Sequence, residues 1–172
     1  MASAASFASI IGSASSTANQ FQAGMRNASA VRAQGNYEAT ADTMNATLAT
    51  AQAKDALARG DVSAFTRGAA TKQQIGSTTA QMAASGVSLT GTSALAATGT
   101  EAFLGALDEA TIRNNAARTA WGYDVQASDY TQRAALARAS ATNTADAETA
   151  DAYSGLLTGA LKTYGLYKKS KS

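Results

Sequence analysis

The sequence predicts an all-α protein. Three observations predict it: no proline in 172 residues, a 45% hydrophobic content made mostly of alanine, and apolar residues spaced alternately by four and three. Alanine is the strongest intrinsic helix former and proline the residue that most disrupts a helix interior. With 6% aromatic residues and few Leu, Ile or Val, the chain lacks the bulk for a thick core. Thin, closely packed helix interfaces follow. The expected architecture is a long antiparallel helical hairpin with alanine-rich seams, flanked by N- and C-terminal segments that are helical or flexible, and completed by oligomerisation.

The chain divides into residues 1–35, an N-terminal arm; residues 36–150, the hairpin; and residues 151–172, a basic amphipathic segment. The arm carries no charge as far as Met25 and mixes Ala, Ser and Gly around one apolar knot, Phe7, Ile10 and Ile11. Such a segment is either a flexible low-complexity arm or a weakly apolar helix whose small residues permit close contact with a neighbour or with lipid.

The first hairpin helix is expected over about residues 36–85. Tyr37, Met44, Leu48, Val62 and Phe65 fall on one stripe with 4–3 spacing, and Leu48, Val62 and Phe65 are assigned to the helix–helix seam. Gly60 and Gly68 lie inside this helix and count against it by about 1 kcal/mol each. Gly86 is expected in the left-handed position just past the helix end, with the turn over residues 86–92; Gly86, Gly91, Thr92 and Ser93 are its candidate residues, Thr92 or Ser93 capping the next helix. That second helix, about 93–150, carries Ala116, Ala120, Tyr123 and Tyr130 on its seam. A helix of about 50 residues is roughly 75 Å long, and two such thin arms bury little apolar area, so neighbouring copies are expected to cover the outward side chains.

The last segment spaces Leu156, Leu157, Leu161, Tyr164 and Tyr167 helically and ends in Lys168 and Lys169, with no acid after Asp151. It is either an interfacial helix with tyrosines at the boundary and lysines toward phosphate, or a last helix packed on the assembly. Phe7, Ile10 and Ile11 join these seven residues as candidate membrane contacts.

Catalytic chemistry finds little to work with. Neither histidine nor cysteine occurs, which removes the usual neutral-pH base, the thiolate nucleophile and the commonest metal ligands. Glu101, Asp108 and Glu109 read as a solvated helix face rather than a carboxylate pair, and residues 86–91 lack the Lys-Ser/Thr ending of a phosphate loop. No catalytic residue, metal or cofactor is expected. A net charge of +2 with 15% charged residues is too weak and too mixed to argue for nucleic acid as a main partner. Neither a signal peptide nor a stretch long and apolar enough to span a membrane is evident, so synthesis in the cytoplasm is expected.

The central stretch resembles the small internal virion proteins of short-tailed bacteriophages, which leave the head with the DNA. The resemblance lies in Gln74-Ile75-Gly76-Ser77, in Ala84-Ser85-Gly86-Val87-Ser88-Leu89 followed by Gly91-Thr92-Ser93-Ala94, and in Ile112-Arg113-Asn114-Asn115-Ala116-Ala117 with Gly122-Tyr123 and Gln126. It covers about residues 34–141. It implies a non-enzymatic protein stored in the capsid near the portal or tail, beside other internal virion, portal or tail proteins. On infection such a protein passes through the tail and assembles at the host envelope membrane into a homo-oligomeric ring or tube, a conduit through which DNA passes without sequence-specific binding. The alternatives are a structural head–tail or tail-lumen ring that stays in the particle, and a bacterial pore-forming or translocator protein.

Overall fold

The structure of the protein, a computed structural model, describes the backbone of residues 4–170 and the side chains of residues 11–169. Two helices, α1 (Ala4–Ala84) and α2 (Thr92–Ser170), pack against each other as a helical hairpin, and no strand occurs among the described residues. α1 begins well before residue 36 and passes Gly60 and Asp61 without a break, and α2 passes Gly99 and residues 142–151 in the same way. The boundaries expected at residues 35 and 150 therefore end neither helix. Contacts group the chain into two units, Met1–Met44 with Tyr130–Ser172, and Asn45–Asp129.

In the Asn45–Asp129 unit, α1 ends as the sequence predicts. Gly86 has φ +75°, the N–H of Val87 donates to the carbonyl of Met82 (3.0 Å) and that of Gly86 to Ala83 (3.1 Å). This pair of bonds is a Schellman cap, which satisfies carbonyls that the helix end leaves free. The start of α2 differs from expectation. The carbonyl of Gly91 accepts the first helical bond, from Leu95 (3.1 Å), so Gly91 is the N-cap and Thr92 and Ser93 are already inside the helix. Glycine is an acceptable N-cap because it reaches the non-helical geometry without strain.

A Cβ at Gly86 meets nothing within 4 Å, so a substitution there acts through the backbone alone. Gly86→Val should lower hairpin stability by about 2 kcal/mol, and Gly86→Asn by less, since Asn tolerates the left-handed region. Thermal unfolding followed by circular dichroism checks this, and three coincident melts would show that the cap is dispensable.

The contact between the helices is made of the smallest residues in the chain. In the Asn45–Asp129 unit, α1 buries Ala46, Ala49, Ala53, Ala56, Gly60, Ala64 and Gly68, again at steps of three and four. Ala53, Ala56 and Ala120 form a buried cluster with Tyr123 packed on it. Gly60 faces Ala116, Gly68 faces the carboxylate of Glu109, and Gly105 faces Thr71 so closely that a Cβ at any of the three would collide. In the other unit, Ala28, Ala39, Ala134 and Ala145 are buried and Gly35 faces Ala141. A Cβ on Gly24 would lie 2.8 Å from that of Ala152. Gly60, counted against the helix from sequence, is thus a point where the two backbones come close, and Gly68 makes room for the Glu109 side chain.

The seam assigned to α1 is corrected accordingly. Leu48, Val62 and Phe65 are 58%, 66% and 76% exposed and lie on the face turned away from α2. The physical reason is that a bulky stripe would hold the backbones apart. The alanine and glycine stripe allows them to meet, with each buried methyl contributing up to about 0.8 kcal/mol. On α2, Ala120 is buried, and Ala116, Tyr123 and Tyr130 are half-buried. The guanidinium of Arg133 stands 5.7 Å from the Tyr130 ring centre.

Threonine hydroxyls close on their own helix. Thr43 donates to the carbonyl of Ala39 (2.6 Å), Thr50 to Ala46 (3.0 Å), Thr98 to Ala94 (3.0 Å) and Thr149 to Ala145 (2.7 Å). Back-bonding of this kind lets polar residues border an apolar contact without leaving a polar group unmet.

Candidate functional site

Three features bear on function: the outward apolar side chains, a belt of ion pairs and a groove beside the last turns of α2. Among the described residues no large apolar side chain is fully buried, while Trp121, Phe103, Leu136 and Leu157 are among many that are exposed. Ordinary domains place such residues inside. Here the alanines occupy the inside and the bulky residues the outside.

The ion pairs sit where the carboxylate constellation was weighed. In the Asn45–Asp129 unit, Arg67 donates through Nε (2.9 Å) and Nη2 to one oxygen of Asp108. Arg113 approaches Asp61 (3.6 Å) and Glu109 (3.7 Å), and Thr78 donates to Glu101 Oε1 (3.1 Å). These acids tie the two helices to each other, or neighbouring turns of one helix together. At the partly exposed positions they occupy, each pair contributes about 0–1 kcal/mol.

The groove lies in the Met1–Met44 with Tyr130–Ser172 unit and has a volume of about 520 Å³. Leu156, Ala160, Tyr164 and Tyr167 of α2 line one side, and Ala14 and Thr17 of α1 the other. Gly159 lets Thr17 pack directly on α2 at its wall, since a Cβ there would collide with the Thr17 side chain, and the Ser13 and Thr163 hydroxyls, 3.3 Å apart, tie the helices beside it. Phe21 and Tyr153 meet edge to face with centroids 5.3 Å apart.

Of the candidate membrane contacts, Leu156, Tyr164 and Tyr167 therefore come together in one groove. Leu157 and Leu161 project outward at 66% and 73% exposure, and Lys168 and Lys169 are exposed beyond them. Ile11 is exposed, whereas Phe7 and Ile10 lie outside the residues whose side chains are described. Ala14, Thr17 and Gly159 were not singled out from sequence. The signal that points to them is the repeated small residue in Gly155-Leu156-Leu157-Thr158-Gly159, which leaves space on one face. Among the described residues no helix is long and apolar enough to cross a membrane. No protein-family model matches this chain, and no curated protein or solved structure is significantly similar to it.

Proposed function

We propose that the protein is a non-enzymatic internal virion protein of a short-tailed bacteriophage, released with the DNA, whose copies assemble into a conduit at the host envelope. The observation that carries this reading is the inverted distribution of side chains. A hairpin held by alanine and glycine, with Phe65, Phe103 and Trp121 outside, is incomplete alone and suited to being finished by neighbours. The resemblance of residues 34–141 to phage ejection proteins supplies the biological setting. The apolar groove and the lysines beside it supply a surface that suits contact with an anionic envelope from one side rather than a span across it.

Infection followed by fractionation tests the reading. The protein should leave the particle and appear in the host membrane fraction, from which mild detergent should extract it as an oligomer. Retention in emptied particles would instead favour the structural head–tail or tail-lumen ring.

A further inference from the structure

The outward stripes of the Asn45–Asp129 unit are complementary to each other, and the geometry points to a head-to-tail contact between two copies of this chain. The outer face of α1 in one copy packs against the outer face of α2 in the next. This rests on the self-assembly in the proposed function but not on delivery of DNA.

On α1 the outer stripe runs Leu48, Ala51, Asp55, Val62, Phe65, and on α2 it runs back from Val125 through Gly122, Arg118 and Thr111 to Leu107. All of these side chains are exposed. The steps of three and four along α1 are matched by steps of three and four down α2, as antiparallel packing requires. Placing Leu48 on Val125 sets Ala51 on Gly122, where a Cβ meets nothing within 4 Å. The same register brings Asp55 to Arg118, Val62 to Thr111 and Phe65 to the turn of Leu107. The Thr111 hydroxyl is bonded to its own helix at Leu107 (2.8 Å), so its methyl is the group offered to Val62.

The one acid in the first stripe thus meets the one base in the second. Asp55 has one oxygen engaged by Arg59 of its own helix (3.1 Å, exposed), and Arg118 takes no acid within the chain among the described residues. Within a single chain Gly60 faces Ala116, so the neighbour is displaced by about one helical turn, roughly 5 Å. Both contacts are antiparallel helix pairs, hence all copies point the same way. A heterologous contact of this kind closes into a ring when its rotation allows.

Charge favours a second copy as the occupant, because the acid of one stripe and the base of the other are carried by the same chain and both are exposed.

Two experiments on the full-length chain test the contact. In analytical ultracentrifugation, Asp55→Arg and Arg118→Asp should each weaken self-association at least about tenfold, and the double variant should recover it. The chain has no cysteine, so Leu48→Cys and Val125→Cys variants provide clean reporters. Mixed under oxidising conditions they should form disulfide-linked dimers, whereas neither alone should. Circular dichroism verifies that each variant stays helical. A wild-type chain that is monomeric at all concentrations overturns the self-assembly and this contact together. An assembled wild type whose mixed cysteine variants stay unlinked, or whose charge reversal has no effect, overturns the contact alone.

Discussion

Gly60→Leu is expected to destabilise the hairpin by about 3 kcal/mol. A Cβ there already collides with the Cβ of Ala116, and the Cα of Ala116 lies 3.7 Å away, so relief requires the backbones to part. Overpacking a close-fitted contact costs about 1–3 kcal/mol, and leucine is at the upper end because its branch also needs space. Separation of the helices strips contacts from Ala56 and Ala64 on either side, which a local adjustment cannot restore. Gly76 supplies the control, because a Cβ there meets nothing within 4 Å. Gly76→Ala should stabilise the helix by about 0.5–1 kcal/mol through backbone entropy alone. The two variants separate glycine as a contact point from glycine as a weakness. Thermal melts at one fixed protein concentration decide between them, since assembly makes melting depend on concentration. A Gly60→Leu melt that overlays the native one would mean that α1 and α2 do not pack in this register.

Replacing Lys162, Lys168 and Lys169 with glutamine should weaken binding to anionic vesicles by about 100-fold. A lysine near an anionic surface contributes about 1 kcal/mol, and three of them about two decades in affinity. The groove of Leu156, Tyr164 and Tyr167 is untouched by these changes, so residual binding should persist and should no longer fall with salt. Vesicle flotation at low and high salt, beside chains lacking residues 1–25 or 153–172, measures both parts. Identical flotation of all forms would remove the C-terminal segment from any membrane role.

How much of this was legible in the sequence follows from what each pattern encodes. The proline-free, alanine-rich composition carried the helical hairpin, and the Gly86-Val87 pair carried its turn, because both rest on local backbone preferences. The seam on α2 was legible from Ala116 to Tyr130, where small residues and seam coincide. On α1 two periodic stripes run side by side, one bulky and one of alanine and glycine. A period locates a face without saying what the face meets, and the bulky stripe drew the assignment of Leu48, Val62 and Phe65. Gly91 was passed over as a cap because Thr92 and Ser93 offer hydroxyls. The groove was half legible: Leu156, Tyr164 and Tyr167 share a helical stripe, but Ala14 and Thr17 reach it only through tertiary contact across Gly159.

The threonines that close on their own helices have a kinetic consequence. Their hydroxyls need nothing from the opposite helix, and the polar ties between the helices in the Asn45–Asp129 unit, such as Arg67 with Asp108 and Arg113 with Asp61, are partly exposed. Opening the hairpin therefore peels apart methyl contacts one turn at a time, with few hydrogen bonds to break at any step. Such a zipper opens and closes in short steps, because each helix keeps its own hydrogen bonds when the two part.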